Sequence, residues 1–292
     1  MIASIGPGLP QDLFAATGRY RGPVALDADR ATPAADRWLE SKFSAWARAV
    51  LEHWSEGAFD DLDLMVFSRT DDTAQRLYYY ICELQRAGTL KGPEPFLLDI
   101  AKVQRPSSVD HTIAATRRLA DRLDVNAYAL EGAILATNVQ RRAAIYEAGA
   151  RVCLLSGSPP PDRRLHDAIE AAGFSAVGPT LSELWHDAGP LVDEATEDPV
   201  AAIGRQLHAW PDDQRGFGDK AATVIERVEA TAAKAVVLWY TEEDEARVWH
   251  VPAIRAALQA AEVPARILTR RDWAARDGAP QEIRKFIEEL SA

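Results

Sequence analysis

The chain alternates between two patterns of hydrophobic and polar positions. Short, mainly apolar runs, such as LDLMVF at 62–67 and AVVLWY at 235–240, are typical of strands covered on both faces. The stretches between these runs place apolar residues at helical spacing, as Leu77, Ile81 and Leu84 show. Strands that alternate with helices of this length predict parallel sheets built from right-handed crossovers.

These patterns also predict the order of the elements. Strands are expected at 22–27, 62–67, 95–100, 234–240 and 264–269, and the stretch 151–178 is expected to be strand, loop, helix and strand. Helices are expected at 33–56, 72–88, 107–123, 127–147, 198–210, 221–233, 251–263 and 281–291. Irregular segments are expected at 179–197, 211–219 and 241–250.

The pattern restarts half-way along the chain, near Gly149. The 292 residues suffice for two domains, and 47% are hydrophobic, so each half can bury a core. We therefore predict an α/β protein with two Rossmann-like domains, at 1–149 and 150–292. Each is expected to hold a parallel sheet flanked by helices, and the two are expected to face each other across a cleft.

Charge and targeting signals narrow the function classes. The net charge of −11 argues against a nucleic-acid binder, which needs a basic face. The opening MIASIGPGLPQDLF lacks the basic and long apolar regions of a signal peptide, and no window reaches about 18 uninterrupted apolar residues. A soluble, cytoplasmic protein without membrane contact is expected.

Cysteine and histidine spacing offers no metal motif. Cys82 and Cys153 do not form a C-x-x-C pair and are expected to be buried as small apolar side chains. The six histidines form no H-x-x-x-H pair, so no histidine-based metal site is predicted. A G-x-S-x-G nucleophile elbow is also missing from the sequence.

Acidic residues follow two of the predicted strands. Asp71 and Asp72 follow the strand at 62–67, and the acids at 242–245 follow the strand at 234–240. Ligands of open α/β sheets bind at the carboxyl ends of strands, where such acids can bind a hard cation, transfer protons or cap a helix. Spacing favours Asp72 as the cap of the next helix, which leaves Asp71 unexplained.

A third strand end carries Ser156, Gly157 and Ser158, within LLSGSPPPD. Backbone N–H groups at such a turn can face a phosphate or thioester oxygen of a cofactor. The alternative is a plain strand-to-helix turn, because the sequence matches neither G-x-G-x-x-G nor a Walker loop.

Five segments, in order, resemble one known family. They are IGPGLPQDLFAATGRYRGPV, SRTDDTAQRLYYYICELQ, ILATNVQRR, LLSGSPPPDRRLHDAIEAAG and VPAIRAALQAAEVPARILTRRDW. Together they are similar to the 2-hydroxyacyl-CoA dehydratases and benzoyl-CoA reductases, in particular to the D-component-like subunit of 2-hydroxyglutaryl-CoA dehydratase. The resemblance covers nearly the whole chain.

This resemblance implies a cofactor that the sequence cannot hold in the usual way. Active family members bind a 4Fe–4S cluster through three cysteine thiolates, receive an electron from an ATP-dependent activator, and act on a CoA thioester. The three cysteine positions fall here on Ser44, on Asp71, and on Glu243 or Asp244. Because oxygen ligands suit hard cations, no 4Fe–4S cluster is expected.

Three functions remain open at this point. The first is a cluster-less accessory subunit that binds an acyl-CoA thioester beside a redox-active, homologous subunit. The second is a repurposed enzyme, in which Ser44, Asp71, Glu243 and Asp244 bind a cation or act as acid and base on a CoA thioester. The third is a non-catalytic scaffold.

Two further expectations concern neighbouring residues. Arg48 and Arg69 are close in sequence to the candidate site and are expected to neutralise its carboxylates. The family's habit of pairing predicts a homo- or heterodimer through the first domain. The aromatic residues Trp38, Trp46 and Trp54 are expected to contribute unless they pack in the core.

Overall fold

Two parallel sheets form the framework of the protein. A computed structural model describes residues 1–101, 103, 105–143, 151–210 and 218–291. The first sheet has the order β2-β1-β3-β4 and the second β6-β5-β7-β8, with all pairs parallel. The strands are β1 Ile2–Ile5, β2 Tyr20–Pro23, β3 Leu64–Ser68, β4 Glu94–Leu98, β5 Val152–Gly157, β6 Ser175–Val177, β7 Ala235–Thr241 and β8 Ala265–Arg271. The predicted α/β class with two parallel sheets is confirmed.

Helices cover the faces of both sheets. In the first half they are α1 Gln11–Ala16, α2 Ala45–Ser55, α3 Asp72–Arg86, α4 Pro106–Leu123 and α5 Ala127–Ala143. In the second half they are α6 Arg164–Glu170, α7 Leu181–His186, α8 Pro199–Ala209, α9 Lys220–Thr231, α10 Glu245–Val248, α11 Val251–Ala260 and α12 Ala279–Ser291. The expected loop at 211–219 falls largely outside the described residues, as do the end of the helix expected at 127–147 and the boundary at Gly149.

Several elements differ from the sequence prediction. Strand β1 was not predicted, and β2 lies slightly before the expected 22–27. The helix expected at 33–56 is a turn of 3-10 helix, Ala35–Arg37, followed by α2. Ser44 adopts φ −56° and ψ 143°, which is not helical, so α2 can begin only at Ala45.

The segment expected to be irregular at 179–197 contains helix α7. Its first turn is a capping box: Thr180 Oγ1 accepts the Glu183 N–H, and the Glu183 carboxylate accepts the Thr180 N–H. The indole of Trp185 on α7 packs edge-on against Trp46 of α2, with ring centroids 5.1 Å apart. Helix α7 thereby joins the two halves of the chain.

Helix α8 packs against the first half of the chain, although it belongs to the second half in sequence. Its residues Ala202, Ile203 and Leu207 join the core of the first sheet. A Cβ atom on Gly204 would lie 2.7 Å from the Cα atom of Ile113 in α4, so glycine permits the close approach of these two helices. The division of the core therefore does not follow the division of the sequence.

The aromatic residues expected at a partner interface are largely internal. Trp46 and Trp54 are buried, and Trp38 is half-buried against the same core. The alternative of core packing is therefore correct for these residues, and they give no support to an interface. Among the described residues, no helix is both long enough and apolar enough to cross a membrane.

Candidate functional site

A cavity of about 370 Å³ lies where the carboxyl ends of the two sheets face each other. Its walls come from the starts of α2 and α3 and from the segments after β5 and β7. In each sheet the strand order reverses at the central pair, β1 and β3 or β5 and β7, and ligands of α/β folds bind at such switch points. The lining includes all four residues predicted at the site, together with Ser158: Ser44, Asp71, Ser158, Glu243 and Asp244.

Ser44 and Asp71 sit at the N-termini of two adjacent helices. The Ser44 hydroxyl lies 3.2 Å from Thr73 Oγ1, so the two hydroxyls form a hydrogen bond between α2 and α3. Asp71 Oδ1 accepts the Ala74 N–H at 2.8 Å. Asp71 is therefore the N-cap of α3, and the sequence-based assignment of the cap to Asp72 is wrong.

Asp71 is the most perturbed carboxyl group of the cavity. Burial raises its pKa to about 6, against the lowering effect of the Ala74 N–H and of Arg247; Asp244 and Asp72 add to the increase. A carboxyl group with a pKa in this range can hold or release a proton near neutral pH. Asp71, which the sequence left unexplained, is thus a candidate group for proton transfer.

The second acid cluster is held by a small hydrogen-bond network. Ser158 Oγ donates to Asp244 Oδ2 at 2.7 Å and accepts the Thr241 N–H at 3.1 Å. Arg247 Nε lies 3.3 Å from the same Asp244 oxygen, and its Nη1 donates to the Gly157 carbonyl at 2.6 Å. This network ties the end of β5 to the end of β7 and fixes the position of the Asp244 carboxylate.

Glu243 faces the same cavity in a half-buried position. Burial raises the pKa of its carboxyl group, while its own N–H, the Thr241 hydroxyl and Arg48 lower it. Two carboxyl groups with raised pKa values, Asp71 and Glu243, therefore come from opposite sheets to one space.

The arginines expected to neutralise the acids have other ion-pair partners. Arg69 pairs with Asp99, and Arg48 pairs with Asp36. Arg48 contributes at a distance to the environment of Glu243. The arginine that forms an ion pair inside the cavity is Arg247, which sequence reasoning missed. The spacing of three residues between Asp244 and Arg247, which puts both on one face of a helix, was the sequence signal for this ion pair.

The predicted cofactor-binding residues lie between two cavities. Ser156 and Gly157 end strand β5 and line a second cavity of about 90 Å³, which shares Ser158 and Arg247 with the first. The Ser158 N–H donates to the Trp239 carbonyl at 2.7 Å and so contributes to the pairing of the β5 end with β7. A Cβ atom on Gly157 would lie 2.2 Å from that same carbonyl oxygen, which explains the glycine. Their role in ligand binding stays a prediction.

The cysteines lie away from this site. Cys153 is buried in β5, and burial raises the pKa of its thiol to about 12. Cys82 is half-buried on α3, beside Tyr78. In the part of the chain that the structure describes, no three His, Cys, Asp or Glu side chains are grouped so as to hold a metal ion.

Comparison with known proteins identifies no relative of this chain. No family model matches this chain, and no curated protein is significantly similar to it.

Proposed function

We propose that this chain is a cluster-less subunit of the 2-hydroxyacyl-CoA dehydratase and benzoyl-CoA reductase type, which binds an acyl-CoA thioester in the cavity between its sheets. It would act as the accessory partner of a redox-active, homologous subunit. One observation carries the proposal. The positions that the resemblance assigns to cluster ligands, Ser44, Asp71 and Glu243 or Asp244, come from three distant chain segments and line one cavity.

The size and lining of the cavity suit a thioester. A volume of about 370 Å³ lies in the range of small-molecule sites. Trp46, Leu181 and Trp273 supply apolar surface for an acyl chain. Of the hydrogen-bonded Ser44 and Thr73 hydroxyls, the one that accepts in that bond keeps its hydrogen and can donate it to a thioester oxygen. Lys42 and Arg76 line the same cavity. They pair with Glu245 and Glu40 at the surface, and phosphates of CoA would have to compete with these carboxylates for them.

The donor set argues for a redox-inactive role. Iron–sulfur clusters require thiolates in most proteins, whereas hydroxyl and carboxylate oxygens occupy the three implied positions here. Electron transfer and ketyl chemistry would therefore belong to the partner subunit. Purified under anaerobic conditions, the chain is expected to contain no stoichiometric iron or sulfide.

Calorimetric titration of the full chain with short-chain and aromatic acyl-CoA thioesters tests the proposal. Saturable binding is expected, with affinity at least about tenfold higher than for free CoA, because the acyl group adds buried apolar surface. Ser44→Tyr should fill the cavity and abolish binding. Ser107→Tyr, at an exposed position on α4, is the matched control and should bind normally. Failure of every acyl-CoA to bind, or equal binding by both variants, would contradict the proposal.

The raised pKa of Asp71 favours a second candidate, acid–base catalysis on the same thioester. Ionised Asp71 could take a proton from the carbon next to the thioester carbonyl, which leaves the electron pair in an enolate, and then return a proton to the same face of that carbon. Proton exchange of a bound acyl-CoA in D₂O, followed by NMR, is then expected for the isolated chain. Asp71→Asn should stop the exchange while leaving binding intact. No exchange by the wild type would leave the accessory role alone.

A further inference from the structure

A groove of about 170 Å³ lies between helix α5 and the segment that leads into α8. It shares no lining residue with the two cavities at the strand ends. Its base is apolar, since Ile134 and Pro199 are buried there. The Thr196 hydroxyl is also buried in its wall and has no hydrogen-bond partner. Because buried polar groups normally have a partner, this hydroxyl points to a further molecule in the groove.

Hydrogen bonds from α5 fix the second wall of the groove. The buried Asn138 amide donates to the Val192 carbonyl at 2.8 Å and accepts the Val192 N–H at 3.1 Å. It also donates to Glu194 Oε1 at 2.8 Å, and the Arg142 guanidinium donates to the same oxygen at 2.8 Å. The groove is therefore formed before a ligand binds, which lowers the entropy cost of binding.

The apolar surface beside the groove continues along α5. Tyr128, Leu135 and Val139 are 88%, 52% and 63% exposed and follow helical spacing, so they form one continuous surface, the α5 stripe. Glu131 lies within this stripe, three residues after Tyr128 and four before Leu135. From Tyr128 to Val139 the stripe is about 16 Å long, which matches about three turns of a partner helix.

The charges of this surface are unbalanced. Glu131 and Asp193 line the groove, and neither forms an ion pair with any described residue. The arginines at the end of α5, Arg141 and Arg142, are already paired with acids of the same chain. A carboxylate enclosed in an apolar interface needs a cation from the partner. The described part of this face offers no such cation to a second copy of the chain, so charge favours a different, basic partner.

We propose that this surface binds a basic amphipathic helix of a different protein. The apolar side of that helix covers the α5 stripe, as amphipathic helices do in apolar grooves. A lysine or arginine of the helix enters the groove, where its alkyl part packs on Ile134 and Pro199. Its charged end donates to the Glu131 and Asp193 carboxylates and to the unpartnered Thr196 hydroxyl. One side chain thus accounts for the apolar base, the two acids and the buried hydroxyl.

Fluorescence anisotropy of the full chain with a labelled model peptide tests this surface, which does not rest on acyl-CoA binding. The probe is a peptide of about 14 residues, with leucines at helical spacing on one face and lysines beside them. A matched peptide carries glutamates in place of the lysines. Saturable binding of the lysine peptide is expected, at least about tenfold tighter than that of the glutamate peptide.

Charge reversal locates the binding site. Glu131→Lys should weaken binding of the lysine peptide at least about tenfold and strengthen binding of the glutamate peptide. The control is Glu229→Lys, at an exposed position on α9, which makes the same change in net charge and should alter neither affinity by more than about twofold. Leu135→Gln should also weaken binding, whereas Leu290→Gln on α12 should not. All four positions are exposed and the new residues are good helix formers, so the variants should fold.

Four results would overturn the proposal. The first is a lysine peptide that does not bind saturably, and the second is an equal effect of Glu131→Lys and Glu229→Lys. The third is spermine that displaces the peptide and binds as tightly, which would assign the groove to small amines. The fourth is self-association of the chain that Leu135→Gln abolishes, which would assign this face to a second copy.

Discussion

Asp12 and Arg141 form a two-pronged ion pair inside the protein, with side chains only 1% and 4% exposed. The Arg141 guanidinium donates to both carboxylate oxygens, at 2.8 and 2.7 Å, and also to the carbonyl of Ala188. Helix α1, helix α5 and the chain entering α8 therefore meet at one charged group. Such a pair is costly to break from one side, because the remaining charge stays buried.

Arg141→Ala is therefore expected to lower the free energy of unfolding by about 3–5 kcal/mol. The control is Arg284→Ala, which removes the exposed pair with Glu288 on α12 and should cost less than about 0.5 kcal/mol. Urea denaturation of both variants provides the comparison. The double variant Asp12→Asn/Arg141→Met should be more stable than Arg141→Ala, since it leaves no buried charge. Equal effects of the two arginine replacements would show that burial does not govern this pair.

Gly157→Ala is expected to be severely destabilising. The glycine has φ +107°, and an added Cβ would lie 2.2 Å from the Trp239 carbonyl oxygen of the neighbouring strand. Strain and displacement of β7 should cost more than about 3 kcal/mol. Gly88→Ala is matched in having a positive φ of +70° but has open space around it, and should cost about 1–2 kcal/mol. Thermal unfolding of the two variants separates steric crowding, which only Gly157→Ala has, from backbone strain, which both have. Similar melting temperatures for the two would contradict crowding at Gly157.

The pH dependence of stability should report on Asp71. Its pKa is about 6 in the folded protein against 3.8 in an unstructured chain, so the folded state binds the proton more tightly. Stability relative to Asp71→Asn is therefore greatest below about pH 4 and is lost as the pH rises through 6, by up to about 3 kcal/mol. Asparagine keeps an oxygen that can accept the Ala74 N–H, so the helix cap is retained. Parallel pH profiles for the two proteins would contradict the raised pKa.

Loss of the α7 cap should weaken the contact between the two halves. Thr180→Ala removes the acceptor for the Glu183 N–H and should cost about 1 kcal/mol. The control is Ser182→Ala, at an exposed position two residues after the cap, which should change stability by less than about 0.5 kcal/mol. Urea denaturation of the two variants provides the comparison, and the contact at stake is the edge-to-face packing of Trp185 on Trp46. An unaffected Thr180→Ala variant would mean that packing of α7, not its cap, holds it in place.

The sequence predicted the central strands well because β3 and β7 are buried along their whole length and leave a plain apolar run. It missed β1, which is only four residues long and runs directly into a glycine- and proline-rich turn. Helix α7 was missed because six residues carry little periodicity, although Thr180 and Glu183 form a recognisable capping signature.

The rule about strand ends placed Asp71 and Asp244 at the carboxyl ends of their strands, whereas their meeting in one cavity between two sheets was an expectation from the family resemblance alone. The sequence could not decide whether Asp71 or Asp72 caps α3, because both have suitable side chains. The backbone decides it, since Asp71 is extended, with ψ 121°, and the helix begins at Asp72. The partners of Arg48 and Arg69 were also beyond sequence, because they depend on side-chain reach across a folded surface.

The packing of α8 on α4 limits how this protein could be taken apart. A fragment that begins after Gly149 would carry Ile203 and Leu207 without the core that encloses them, and a fragment that ends there would leave α4 uncovered. Neither half is therefore expected to fold by itself. A chimera that exchanges the first sheet between related proteins would have to exchange α8 as well. The two exchanged segments are separate in sequence, so the chimera needs more junctions than a single cut near Gly149 would give.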